Sequence, residues 1–367
     1  MSMEMSMSVT PQAAPEIVAS AADVPDGAMP PLLVLDVVTG FLDEHGIGTG
    51  RIEAQRIGDG QSNITYRIRR EGADVVLRRG PRPPLPRSAH NMVREARVQQ
   101  AVAAHDVPVP EVLAICEDES LLGVPFYVMN FLTGDVITDE EPARLANPAS
   151  RRQLGENMVD ALLSLHSIDV SSGPLSELGR PSGYLERQVR TFSSLWGVNS
   201  RREIPEVGEL AERLGARVPT TQRHSVVHGD YRLGNLMIAA SGTPEVSAIL
   251  DWEMATLGDP LADLGYLVAT YSDRGAPDSV MDLSPVTRLE GYPTADELAE
   301  RYGATSTLDL GDLPWYKALA LWKAAIFCEA MYTRYLAGER PGDTFAPKLE
   351  TGVPELLHRA LAALDEG

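Results

Sequence analysis

Apolar and polar residues alternate along Ile64-Thr65-Tyr66-Arg67-Ile68, and this period of two predicts a β-strand. Glycines precede it in Arg56-Ile57-Gly58-Asp59-Gly60-Gln61-Ser62-Asn63. The third glycine of a dinucleotide fingerprint is missing and no helical pattern follows, so the segment reads as a hairpin loop between two strands, not a Rossmann turn. Such a loop can lay backbone N–H groups over phosphates, because Gly lets the chain come close and Ser and Asn add donors. Further apolar runs predict strands at Asp74–Arg79, Val112–Cys116 and Pro125–Met129. Between them, Ala89, Met92, Val93, Ala96, Val98 and Val102 have helical spacing around an embedded Glu95, and Val107-Pro108-Val109-Pro110 breaks the pattern. Upstream, Leu32, Leu33, Leu35, Val37, Val38, Phe41 and Leu42 predict a helix from Pro31 to His45, ended by Gly46. Residues 1–30 are rich in Met, Ser, Ala and Pro without periodicity, and a disordered tail is expected there.

After Asn130-Phe131-Leu132-Thr133-Gly134 the pattern becomes helical, at Leu154–His166, Tyr184–Trp196 and Trp315–Leu336. The last is apolar nearly all round (Ala318, Leu319, Leu321, Trp322, Ala325, Ile326, Phe327, Met331), which marks a core helix. No internal repeat is present. The chain of 367 residues is long enough for two domains. The expected division is a tail over 1–30, a sheet-and-helix lobe over 31–130 and a mainly helical lobe over 131–367, with a hinge near residues 130–134.

The net charge of −20 argues against non-specific binding to nucleic acid or a bilayer. Locally the balance reverses. Between Gln61 and Gln100 nine arginines face three acids, a local +6. That run is either a solvated face or a basic lobe that meets polyphosphate. The two cysteines, Cys116 and Cys328, lie in apolar surroundings without metal-ligand spacing, as buried free thiols in a reducing cytosol would. No apolar run is long enough to span a membrane, and the first fifty residues lack the Lys or Arg of a secretion signal. A cytoplasmic protein is expected.

The candidate chemistry lies in His228-Gly229-Asp230-Tyr231-Arg232-Leu233-Gly234-Asn235 and in Ile249-Leu250-Asp251-Trp252-Glu253. An Asp, an Asn five positions later, and an Asp closing the apolar strand Val246–Leu250 supply three oxygen side chains. That is enough to place one proton acceptor and two metal ligands at a phosphate. Turn-forming residues could also make 228–235 a plain connection. Asp251 favours the functional reading, because a carboxylate ending an apolar strand is costly to bury unless it is paired or binds metal.

These motifs resemble the aminoglycoside phosphotransferase-like branch of the kinase fold, and more closely its group found both as stand-alone bacterial proteins and fused to acyl-CoA dehydrogenase domains. The resemblance rests on Gly60–Tyr66, Val76–Arg79, Tyr127–Met129, His228–Asn235, and Leu250–Glu253 with Gly258-Asp259-Pro260-Leu261-Ala262-Asp263-Leu264. It covers roughly residues 30 to 340. It implies an α+β, bilobal protein-kinase-like fold, with a small antiparallel β-sheet plus helix N-lobe and a mainly helical C-lobe. It further implies ATP and Mg²⁺ as cofactors and transfer of the γ-phosphate to a hydroxyl of a small molecule. Asp230 would then accept or orient the hydroxyl proton, and Asn235 and Asp251 would hold Mg²⁺. Gly60, Gln61, Ser62, Asn63, Arg78, Glu95, Met129 and Phe131 would bind the nucleotide. His228 reads as a residue that orients the loop rather than as a base, and Asp259 and Asp263 either as helix caps after the Gly-Asp-Pro turn or as residues that support the metal ligands from behind.

One departure stands out. Kinases usually pair the phosphates with a Lys on the third strand, held by a helix Glu. All three lysines of this chain, Lys317, Lys323 and Lys348, lie far downstream. Arg78 takes the position, as in other members of the closer group, with Glu95 as partner. Alternation puts Arg78 on the face of Val76 and Arg79 on the other. Two readings follow: an active small-molecule kinase, or a nucleotide-binding pseudokinase that acts through a partner. The acceptor could be a hydroxyacyl compound, another small metabolite or an aminoglycoside-like sugar. Trp196, Trp315, Trp322, Glu329, Tyr332 and Arg334 are candidates to line its site, although aromatics at helical spacing are more often core.

Overall fold

In the computed structural model, which describes residues 15–24, 29–58, 63–83 and 91–366, the alternating segment around Tyr66 is a strand of a five-stranded antiparallel sheet. The described residues fall into two compact units, drawn from Met1–Gln100 with Pro110–Leu132 and from Ala101–Val109 with Thr133–Gly367.

The first unit contains β1 (Ile17–Val18), β2 (Leu33–Val34), α1 (Leu35–Glu44), β3 (Thr49–Ile57), β4 (Ile64–Glu71), β5 (Ala73–Arg79), α2 (Met92–Ala103), β6 (Val112–Cys116), the short α3 (Glu119–Leu122) and β7 (Phe126–Asn130). Its sheet runs in the order β3-β4-β5-β7-β6. The strand period sorts the side chains. Ile64, Tyr66, Ile68, Val75, Leu77, Phe126 and Val128 enter a core with Val38, Phe41 and Leu42 of α1. Tyr127 of β7 packs with Met92 and Ala96 of α2 in a second cluster. Helix α1 starts at Leu35, later than its spacing suggested, because Leu33 and Val34 pair with Ile17 and Val18 as parallel strands. Gly46, at φ +67, follows its last turn.

The expected tail therefore needs a correction. Residues 15–24 hold β1 and a 3₁₀ turn in which Ser20 and Asp23 form a capping box. Ile17 and Val18 are ordered by a partner strand that sequence periodicity could not reveal. The rest of that expectation, over 1–14 and 25–28, lies outside the described residues.

The second unit contains β8 (Gly134–Val136), α4 (Pro148–His166), the short α5 (Gly173–Ser176), α6 (Tyr184–Asn199), α7 (Pro205–Ala216), β9 (Ser225–Val227), β10 (Leu236–Ala239), β11 (Val246–Ile249), β12 (Thr256–Gly258), α8 (Leu261–Thr270), α9 (Ala295–Thr305), α10 (Leu313–Leu336) and α11 (Leu349–Asp365). The apolar α10 is the spine on which α6, α8 and α11 pack, with Trp315, Trp322, Ala325 and Ile326 buried. Two small antiparallel sheets, β11-β10-β8 and β12-β9, hold the chain on either side of the 228–235 loop. Helices α7, α9 and α11 went unrecognised in the sequence reading. Among the described residues, no helix is long and apolar enough to cross a membrane.

Candidate active site

The 228–235 loop leaves β9 and enters β10, and its backbone is fixed by side chains from other elements. Asp263 of α8 accepts from the backbone N–H groups of His228 at 2.6 Å and of Gly229 at 2.7 Å. Gly229 adopts φ +87, and a Cβ there would lie 2.9 Å from the Met254 backbone oxygen, so no other residue fits without displacement. Tyr231 is buried and donates to the Met158 carbonyl at 2.7 Å. His228 is also buried. Its Nε2 lies 2.8 Å from the Leu250 carbonyl, and its Nδ1 accepts from the Asp230 backbone N–H at 3.2 Å. Both ring nitrogens are occupied, so the imidazole ties the loop to the strand end at Leu250 and has no lone pair left for a base. This is the orienting role read from the sequence.

The Asp230 carboxylate is held at both oxygens. Oδ2 accepts from Asn235 Nδ2 at 2.7 Å, and Oδ1 accepts from the Tyr266 hydroxyl at 2.5 Å. Arg232 Nε lies 3.5 Å from Oδ1. Asn235 spends its second amide hydrogen on the Asp230 carbonyl at 2.8 Å.

Asp251 follows β11 in a left-handed conformation, φ 63 and ψ 68. Only Asp106 shares a positive φ among the described non-glycine residues. Asp is one of the few side chains that tolerate this region, and such strain persists where neighbours over-determine the backbone. They do so here. His228 is bonded to the carbonyl on one side, and buried Trp252, whose Nε1 donates to Ile249 O at 3.0 Å, fixes the other. Leu250 N–H donates to the Asn235 carbonyl at 2.8 Å, which ties the two motifs together.

In the first unit, Arg78 Nε donates to Glu95 Oε1 at 2.8 Å, and Nη1 lies 3.5 Å from Thr65 Oγ1. Glu95 is 2% exposed and also accepts from the Tyr127 hydroxyl at 3.1 Å. Arg79 points the other way, as alternation requires. It is 1% exposed and bonded to the Gly80 and Leu32 carbonyls, and burial pulls its guanidinium down to about 10. Met129 pairs in register with Val76, and its sulfur accepts from Gln99 Nε2 at 3.7 Å. Phe131 has the Arg67 guanidinium 3.6 Å over its ring. Asn63 is buried at the start of β4. Gly60, Gln61 and Ser62 lie outside the described residues.

The model of the phosphotransferase enzyme family matches residues 53–306 of the chain, a stretch that holds every one of these groups. The chain belongs to that family.

Among relatives of this phosphotransferase family member, acyl-CoA dehydrogenase family member 10 of Mus musculus is 36% identical over 83% of the chain. The chain spans only 28% of that protein's length. A Ralstonia eutropha structure assigned to the aminoglycoside phosphotransferases is 27% identical, with a TM-score of 0.77 over 90% of this chain and 98% of that one. A thermostable mutant of aminoglycoside phosphotransferase APH(4)-Ia, in a ternary complex with AMP-PNP and hygromycin B, shares the fold at 15% identity. Its TM-score is 0.57 over 90% of this chain and 98% of that one. The fold is the kinase-like α+β fold of these phosphotransferases, as expected from the motifs.

The donor set of this family member fits a hard cation. With both amide hydrogens of Asn235 committed to Asp230, its Oδ1 is the atom left to ligate, and Asp251 supplies a carboxylate. Among the described residues no group of three or more His, Cys, Asp or Glu forms a metal cage. Mg²⁺ commonly takes one or two protein oxygens and completes its octahedron with phosphates and water, so a sparse set is what it needs.

The acceptor candidates fare differently. Trp315 and Trp322 are buried, and their indole N–H groups are bonded to the Leu214 and Val207 carbonyls at 3.2 Å each. Glu329 is 1% exposed and accepts from Arg202 Nε at 3.1 Å and from the Ser200 hydroxyl at 2.9 Å. Arg202 stacks on Tyr332 at 4.5 Å. These four are therefore internal ties of the unit, because the apolar all-round character of α10 buries them. Arg334 pairs with Glu339 at 3.0 Å on an exposed stretch, and Trp196 is partly buried on α6.

The arginine run also resolves. Arg67 pairs with Asp74, Arg70 with Asp43, Arg78 with Glu95 and Arg97 with Glu117, so much of its charge is matched within the unit.

Two contacts to the loop were not read from the sequence. Asp259 Oδ1 accepts from the Leu261 N–H at 3.0 Å, but the N-cap of α8 is Pro260 and no side chain caps that helix, so the expected cap fails for both acids. The Asp263 carboxylate turns instead to the loop and to His166 Nε2 at 3.2 Å. Burial pushes it up, and the hydrogen bond and charge of His166, with His228 and the Gly229 N–H, carry it below the ordinary Asp value. Tyr266 was the other omission.

Proposed function

We propose that this family member is an ATP-dependent small-molecule kinase that moves the γ-phosphate of ATP to a hydroxyl of a metabolite. The observation that carries the reading is the Asp230 carboxylate, aimed by Asn235 and Tyr266 in a loop whose backbone Asp263 and His228 hold rigid. Phosphoryl transfer asks the protein chiefly for positioning and charge neutralisation, and this loop supplies a positioned acceptor for the hydroxyl proton. In this reading Asp230 takes that proton as the acceptor oxygen attacks phosphorus. Asn235 and Asp251 hold Mg²⁺, which when bound neutralises phosphate charge. Arg78, steadied by Glu95, engages phosphate oxygens with its fork. Asn63 with Gly60, Gln61 and Ser62 covers the phosphates, and Met129 and Phe131 contribute to nucleotide binding.

The acceptor we propose is a hydroxylated acyl compound, a choice supported by the dehydrogenase-named relative. Aminoglycoside-like sugars are the competing class, supported by the name of the Ralstonia structure. The test is ADP release from ATP and Mg²⁺ across hydroxyacids, hydroxyacyl thioesters and aminoglycosides, with Asp230→Ala alongside. Turnover that survives Asp230→Ala overturns the assignment. ATP binding without turnover on any acceptor gives the pseudokinase reading instead, which the Arg in place of the usual Lys favours.

A further inference from the structure

Helix α8 grips three consecutive residues of the loop. Asp263 takes the backbone N–H groups of His228 and Gly229, and Tyr266, one turn on, donates to the side chain of Asp230. Residues three apart share a helix face, so a single turn of α8 carries both contacts. The phenol donates to a carboxylate oxygen, a pairing in which the acceptor's charge strengthens the hydrogen bond. Burial, then the Asp230 charge and this hydrogen bond, hold the phenol well above its ordinary value, so it stays a donor at physiological pH. A carboxylate offers about four lone-pair sites on its two oxygens. Tyr266 claims one on Oδ1 and Asn235 one on Oδ2, which stops rotation of the group and leaves a defined set for a substrate proton.

We propose that Tyr266 is a positioning residue for phosphoryl transfer, setting the plane of the Asp230 carboxylate against the acceptor hydroxyl. The inference rests on the reading of Asp230 as proton acceptor. Tyr266 does not touch the transferred group; it acts through Asp230. A displacement of about 1 Å in such a group costs on the order of 10²-fold in rate.

The experiment uses the full-length protein with ATP and Mg²⁺ alone, water serving as acceptor, and follows ADP formation over a range of ATP concentrations. Tyr266→Phe should lower kcat by about 10- to 100-fold with the KM for ATP within twofold. Site-specific 3-fluorotyrosine at 266 keeps the hydroxyl and the ring but makes the phenol a stronger donor, so kcat should depart from wild type by less than in Tyr266→Phe, whereas a packing role leaves it at the wild-type value. Wild-type kcat in Tyr266→Phe, with Asp230→Asn impaired, overturns this inference alone. ADP formation indifferent to Asp230→Asn overturns the catalytic reading beneath it. A faster Tyr266→Phe also overturns the inference, since the phenol would then be occupying the acceptor's place. Should Tyr266→Phe fail to fold, the fluorotyrosine protein still decides: a kcat that follows the donor strength of the phenol at unchanged KM supports positioning, and an unchanged kcat refutes it.

Discussion

Asn235 donates both hydrogens of its side-chain amide to Asp230, one to the carbonyl at 2.8 Å and one to the carboxylate at 2.7 Å. In the proposed reading the pair orients two groups at once, the carboxylate as proton acceptor and the remaining amide oxygen as a metal ligand. Asp230→Ala should reduce ADP release by about 10²- to 10⁴-fold, the usual range for a lost general base. Steady-state assays on the first productive acceptor check this.

Asp251 combines a charge with a left-handed backbone, and the two can be separated. Asp251→Asn keeps a side chain that tolerates this conformation but removes the negative charge. Mg²⁺-dependent ATP affinity should fall at least about tenfold, one 1.4 kcal/mol step, with the melting temperature nearly unchanged. Asp251→Ala should lose about a further 1 kcal/mol of stability through backbone strain. Titration calorimetry and thermal melts distinguish the two effects.

In the proposed site Arg78, paired with Glu95, takes the place of the usual Lys. Arg78→Met should raise the KM for ATP by about tenfold, the equivalent of 1.4 kcal/mol. Arg78→Lys keeps the charge without the fork and should fall between the two. An unchanged KM in Arg78→Met would remove Arg78 from the nucleotide site.

Arg202 and Glu329 join the loop after α6 to α10, and Arg202 also bonds the Glu350 carbonyl of α11 at 2.7 Å. Glu329 is buried while Arg202 is partly exposed and keeps its carbonyl partners, so Glu329→Ala should destabilise the protein by about 1–3 kcal/mol in chemical denaturation. ATP affinity measured below the melting temperature should not change, because Glu329 belongs to the core.

Lys323 lies on α10 beside the Phe192 ring, 4.8 Å from its centroid, and burial pulls its ammonium down to about 8 from 10.5. Between those values the unfolded chain binds a proton that the folded chain does not, so this residue's contribution to stability improves as pH rises. Below pH 8 the cost is fully present. Lys323→Met should thus be more stable than wild type at pH 7, by about 1–3 kcal/mol. The gap should close between pH 8 and 10.5, as measured by paired denaturation curves.

Much of the fold was legible because its signals are local. A period of two announced the strand at Ile64–Ile68 and separated Arg78 from Arg79. Near-continuous apolar character announced α10. Helices α7 and α9 were missed since their buried residues are few, Val207, Leu210 and Leu214 in one and Leu298 and Tyr302 in the other. Residues 17–18 were missed because a two-residue strand has meaning only beside its partner.

The sequence by itself determined several local relations: Asp230 with Asn235 five residues on, Asp251 at a strand end, and Arg78 on the strand face opposite Arg79. Those relations depend on loop length and strand or helix period, which short stretches of chain encode. Only the tertiary structure decided what holds them. Asp230 meets Tyr266 across 36 residues, Asp263 meets His228 across 35, and Glu329 meets Arg202 across 127. Packing sets such distances: α8 must lie against the loop before a phenol or carboxylate can reach it. The same packing makes Trp315, Trp322, Glu329 and Tyr332 of α10 core.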